Sequence, residues 1–109
     1  MAFDEGLAQR IREVTADDRR VTEKKMFGGL AFMIGGNMAC GIVKGELMVR
    51  VGPDAYDECL QQPHAREMDF TGRALKGMVY IGMDGFESDE DLNAWVGRGV
   101  SFAGSLPAK

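Results

Sequence analysis

The spacing of apolar residues changes period along the chain. Phe3, Leu7, Ile11 and Val14 recur with Asp4, Glu5, Arg10, Arg12 and Glu13 between them, the pattern of an amphipathic helix of about three turns. Acids precede arginines in this stretch, in keeping with the helix dipole. Asp17-Asp18-Arg19-Arg20 then reads as a solvated helix end in preference to a contact patch. From Val21 to Val51 the period becomes two. Leu30, Phe32 and Ile34 alternate with Ala31 and Met33; Met38, Cys40 and Ile42 with Ala39, Gly41 and Val43; Leu47, Val49 and Val51 with Met48 and Arg50. These are three strands, and Gly35-Gly36-Asn37 and Lys44-Gly45 suit hairpin turns between them, which predicts an antiparallel meander. Val21 to Phe27 supplies a strand before them, with Gly28-Gly29 breaking or bulging the chain at the join. The second alternating set is itself fairly apolar, so the sheet has a core face and an outer face suited to a partner or a second copy of the chain.

Gly52-Pro53-Asp54 closes the last of these strands and starts a helix, with acids at Asp54, Asp57 and Glu58, and with Ala55, Cys59 and Leu60 turned inward. Residues 64–77 are mixed and basic. Met78 to Gly82 reads as a strand, and Met68-Asp69-Phe70 as a short one pairing with it across a turn region from Gly72 to Gly77. Ser88, followed by Asp89, Glu90 and Asp91, is the clearest helix start in the chain. Leu92, Trp95, Val96, Val100, Phe102 and Ala103 populate its apolar side, Trp95 anchors it to the sheet, and Gly104 and Pro107 mark its end. Helix, strands, helix, strands, helix without a repeating βαβ unit is a two-layer α+β fold, an antiparallel sheet of about 5–6 strands flanked by three helices.

The length of 109 residues suits one domain, residues 1–109, able to remove roughly two-thirds of its unfolded surface from water without disulfides or metal. The absence of a long apolar run and of a basic, apolar-centred start predicts a soluble cytoplasmic protein with no membrane partner. Seventeen acids against 13 bases argue against a dedicated basic nucleic-acid binder. Five of those acids, Asp84, Glu87, Asp89, Glu90 and Asp91, crowd one octet that holds no base, so the charge of −4 is a local property.

Candidate chemistry is sparse. Two cysteines and one histidine, His64, fall short of a zinc site, no cofactor is expected, and Cys40 and Cys59 read as small hydrophobes before nucleophiles. The glycine pairs lie between strands and match neither dinucleotide nor Walker spacing. The methionines are expected chiefly to fill the core. The most suggestive group is cationic: Arg50, in a strand that otherwise reads apolar, with Arg66, Arg73 and Lys76 in the later basic segment. An arginine in such a strand either forks onto a carboxylate such as Asp69 or faces an anionic ligand, and ion pairing is the favoured expectation.

At Lys25-Met26-Phe27-Gly28-Gly29, Phe32-Met33, Asn37-Met38, Cys40-Gly41 and Leu47 to Gly52, and again at Met68 to Arg73, Lys76-Gly77, Trp95 and Ser105 to Lys109, the chain resembles the N-terminal domain family of the TfoX/Sxy competence regulators. Met26, Phe27, Gly28 and Gly29 carry most of that likeness, together with the later Gly72-Arg73. The resemblance implies a secretion-chaperone-like α+β domain, in agreement with the element order, and a stand-alone member of the family. It implies a role beside transcription regulators and brings no catalytic residues. The favoured expectation is a non-enzymatic module binding a protein partner through its sheet face or the Arg50/Arg73 region. The alternative is a binder of a small anionic ligand or nucleic acid through the Arg50, Arg66, Arg73 and Lys76 patch. A cysteine-dependent enzyme is the least favoured.

Overall fold

The computed structural model describes residues 4–26, 29–43, 45–69 and 74–108, with their side chains except those of Met26, Met68, Asp69, Ala74, Leu75 and Lys76. Helix α1 spans Glu5–Val14 and starts where Asp4 accepts a hydrogen bond from the Leu7 amide at 3.2 Å. This side-chain cap satisfies one of the amides that the first turn leaves without a helical partner. Leu7, Ala8 and Ile11 are its buried side; Phe3, expected to join them, lies outside the described residues. The Asp17 to Arg20 stretch is a turn in which Arg20 forks onto the Asp18 carboxylate at 3.0 and 2.8 Å.

Four strands follow, β1 (Val21–Met26), β2 (Gly29–Ile34), β3 (Asn37–Val43) and β4 (Glu46–Arg50), paired as the expected antiparallel meander. After a short helix α2 (Tyr56–Leu60), β5 (Ala65–Asp69) and β6 (Ala74–Ile81) form a second antiparallel pair. The chain then passes through a 3₁₀ turn, Met83–Gly85, into α3 (Asp89–Gly104). Strand β6 docks on β4 and leaves β5 at the edge, giving a six-stranded sheet in the order β1-β2-β3-β4-β6-β5.

Three boundaries differ from the sequence expectation. The helix after Gly52 begins only at Tyr56, because Pro53 to Ala55 form a turn. Asp69 and Ala74 pair with one another in the later hairpin, so Leu75 to Gly77 belong to β6 and not to a turn region. Arg50 ends β4 and is not in mid-strand: Gly52 takes φ +88°, and the amides of Val51 and Gly52 both donate to the Gly77 carbonyl, at 2.8 and 3.1 Å, which closes the ladder.

All three helices lie on one face of the sheet. Leu30, Phe32, Cys40, Ile42, Leu47, Val49, Val79 and Ile81 form one core cluster with Leu7 and Ile11 of α1, Tyr56 and Cys59 of α2, and Leu92, Trp95 and Val96 of α3. Ser88 caps α3 as the sequence indicates, accepting from the Asp91 amide at 3.1 Å, and Trp95 is 8% exposed within the cluster. A register shift at Phe32/Met33 pairs Phe32 with Cys40 and Met33 with Met38, so Ala39 is the extra residue of a bulge. Ala39 is thereby buried with Ile34 and Ala103 on the α3 side, and Gly99 of α3 comes so close that a Cβ there would stand 2.2 Å from the Ala39 carbonyl oxygen.

The last described residues are held to this layer. Asn37, 3% exposed, donates from Nδ2 to the Pro107 carbonyl at 3.0 Å, and Ala108 lies against Gly35 in the turn between β2 and β3. Replacing Asn37 by alanine breaks that bond and is expected to cost about 1–2 kcal/mol, a fall of about 5–10 °C in melting temperature. A thermal melt shifted by less than 2 °C would mean the contact holds nothing.

Candidate interaction face

Directly paired residues of antiparallel strands project to the same side of a sheet, so the register defines the surface opposite the helices. Lys24, Ala31, Gly41, Met48, Tyr80 and Arg66 pair in succession across all six strands. Met33 pairs with Met38, Val43 with Glu46, and Arg50 with Met78 in the rows to either side. This is the fairly apolar outer face expected from the second alternating set, corrected at the bulge, which puts Met38 on it and Ala39 on the α3 side; among the described residues no helix packs on it, and α3 is met only at its end, by Arg50. Met48 is buried in its middle because Gly41 has no side chain: a Cβ there would come within 2.8 Å of Met48 Cε.

The methionines depart from expectation. Only Met48 is a buried one among the described side chains; Met33, Met38 and Met78 are half-buried on the helix-free face, and Met83 is 66% exposed. Core filling is the work of the other alternating set, so these unbranched, polarizable side chains are left where a surface can adapt its shape.

The structure separates the four candidate cations. Arg66, on edge strand β5, lies with its guanidinium carbon 4.8 Å from the centre of the Tyr80 ring and forks onto both oxygens of Glu46 across β6. The hydrogen bonds to that carboxylate push the guanidinium above its ordinary pKa, against the opposing effect of burial. Arg50 sits on the other side of β6, opposite Met78, and its guanidinium carbon is 5.3 Å from the ring centre of Phe102 on α3. Among the described residues no carboxylate lies within ion-pair distance of Arg50; the side chain of Asp69, the partner expected for it, lies outside the description. Lys76 is placed on β6 by its backbone alone, and Arg73 lies outside the described residues. Tyr80, Glu46 and Phe102, which hold these arginines, are the residues the sequence reading missed. Alternation of Tyr80 with Val79 and Ile81 marks it as outward, whereas Glu46 and Phe102 meet their arginines only through the sheet order and the path of α3.

Of the motif residues, Met26 ends β1 and Gly29 opens β2, while Phe27 and Gly28 lie outside the described residues. Gly29 has a packing reason to be glycine: a Cβ there would stand 2.0 Å from the Ile42 carbonyl oxygen of β3.

The thiols are poorly placed for nucleophilic chemistry. Cys40 is buried in the core and burial pushes its thiol up to about 12, so almost no thiolate exists near neutral pH. Cys59 is also buried, and its thiol is pushed upward chiefly by burial. His64 is exposed in a loop at φ +71°. Among the described residues no group of three or more His, Cys, Asp or Glu could hold a metal ion, and no helix is long and apolar enough to cross a membrane. Among the described residues the Tyr56 hydroxyl is buried without a hydrogen-bond partner, and desolvation raises its pKa, with Glu67 and Asp57 adding to the rise.

A six-stranded antiparallel sheet with all three helices on one side and a face of methionines and a few charged side chains on the other defines a small α+β domain. The model of the TfoX N-terminal domain family matches residues 13–103, most of the chain, and the chain belongs to that family, a regulatory-type domain family resembling competence regulators. No curated protein and no solved structure matches it.

Proposed function

We propose that this chain is a non-enzymatic regulatory module that binds a protein partner on the helix-free face of its sheet, in the setting of transcription regulation. The reading rests on one observation: Met33, Met38 and Met78 lie half-buried around Met48 and Tyr80 on the face that no described helix covers. Thioether side chains repack around different contours at little cost, which suits a surface that accepts a partner. The test is to identify a partner by affinity capture from the native cell and then to titrate the purified pair. A Met38→Asp/Met78→Asp variant is expected to bind at least about ten-fold more weakly, since a buried, unpaired carboxylate opposes docking. Equal binding by wild type and variant, with both folded, would remove the face from consideration.

A second reading, a small anionic ligand or nucleic acid held through Arg50 with Arg66, Arg73 and Lys76, draws on the lack of a described carboxylate beside Arg50. Arg66 favours it less, because Glu46 already neutralises it. Nucleic-acid binding weakens steeply between low and moderate salt, and an apolar protein contact does not. The salt dependence of whatever binds therefore separates the two readings.

A further inference from the structure

The most exposed large apolar side chain among the described residues is away from the sheet face. Met83, 66% exposed, stands in the 3₁₀ turn after β6 and helps line a cleft of about 450 Å³ between that turn and the start of α1. Leu7 and Phe86, each 3% exposed, form the apolar floor of this cleft, and Asp4, Asp84 and Glu87 stand on its rim.

The rim carboxylates are not equivalent. Asp4 caps α1, and Asp89, Glu90 and Asp91 occupy the first turn of α3, so those four answer the dipoles of their own helices. Asp84 and Glu87 are exposed, and among the described residues neither side chain makes a hydrogen bond or an ion pair. Among the described residues the only cation lining the cleft is Arg10, and its Nη2 is engaged by the carbonyls of Phe86 and Glu87, at 2.9 and 3.1 Å, and by the Asp89 carboxylate at 3.3 Å. Arg10 therefore clamps the turn to α1 and, among the described residues, leaves Asp84 and Glu87 on the rim without a compensating cation. An exposed apolar anchor ringed by such charge complements one kind of occupant.

We propose that this cleft docks a cationic segment of a partner protein, with an apolar side chain of that segment resting on Met83 between flanking lysines or arginines that meet Asp84 and Glu87. This surface is separate from the sheet face and stands or falls without it.

The test uses two labelled peptides of equal length and charge, one alternating lysine with leucine and the other lysine with serine, titrated into the full chain and followed by fluorescence anisotropy. Wild type is expected to bind the leucine peptide at least about ten-fold more tightly than the serine peptide. Met83→Ser is expected to abolish that preference and leave serine-peptide binding unchanged, while Asp84→Lys/Glu87→Lys weakens both peptides. Met38→Asp on the sheet face is expected to change neither, which keeps this result independent of the sheet-face reading. All the substituted positions in the cleft are exposed, and an unchanged melting curve for each variant shows that folding is not the cause. Absence of a leucine preference in wild type, or its survival in Met83→Ser, would overturn the proposal.

Discussion

Phe32→Ala is expected to remove about 3–5 kcal/mol from the folding free energy, a large share of the roughly 5–15 kcal/mol that holds a domain of this size. Phe32 is 1% exposed and heads the fully buried side chains by volume. It projects from β2 between the strands that carry Glu23 and Cys40, into the cluster shared by all three helices. Truncation to the β carbon leaves a space that neighbours from several elements cannot all move to fill, so the loss combines transfer and cavity contributions. Urea denaturation followed by the fluorescence of Trp95, the only tryptophan of the chain, measures it directly. A loss below about 1.5 kcal/mol would show that the core recloses around the site.

The second large effect is expected at Gly99, where two glycines of one helix should respond with opposite signs. Alanine improves intrinsic helix propensity by about 1 kcal/mol wherever it replaces an interior glycine. At Gly97 a Cβ would meet nothing within 4 Å, so Gly97→Ala should raise the melting temperature by a few degrees. At Gly99 it would meet the Ala39 carbonyl oxygen at 2.2 Å and carbon at 2.9 Å. Those atoms belong to the bulge that turns Ala39 toward α3, and backbone inside a six-stranded sheet cannot give way by an ångström. Overpacking there should outweigh the propensity gain and leave Gly99→Ala about 2–3 kcal/mol less stable than wild type. Equal melting temperatures for the two variants would mean that α3 slides on the sheet, contrary to the contact described.

What the sequence discloses and what it withholds divide along the range of the interactions. Period-two alternation places β1 to β4, and Ser88 with its following acids places the start of α3, because each signal lies within a few residues of the structure it specifies. The start of β6 is hidden: Lys76 and Gly77 interrupt its alternation, and its first partner, Asp69, lies across the hairpin. Pro53 reads as a first-turn helix residue, yet Pro53 to Ala55 form a turn and α2 begins at Tyr56, which packs into the core. The methionines mislead because both alternating sets of the meander are apolar, so nothing local says which set meets the helices. Of the candidate site, the outer face is legible as a face, whereas the engagement of Arg66 with Glu46 and of Arg50 with Phe102 depends on strand order and on where α3 crosses.

The bond from Asn37 to Pro107 also bears on how the domain can be observed. With Ala108 seated on the turn between β2 and β3, the last described residues are fastened to the sheet at two points. A spin label or fluorophore placed at residue 108 would accordingly report the rotational diffusion of the whole body, and its correlation time would lengthen when a partner docks at a distant surface.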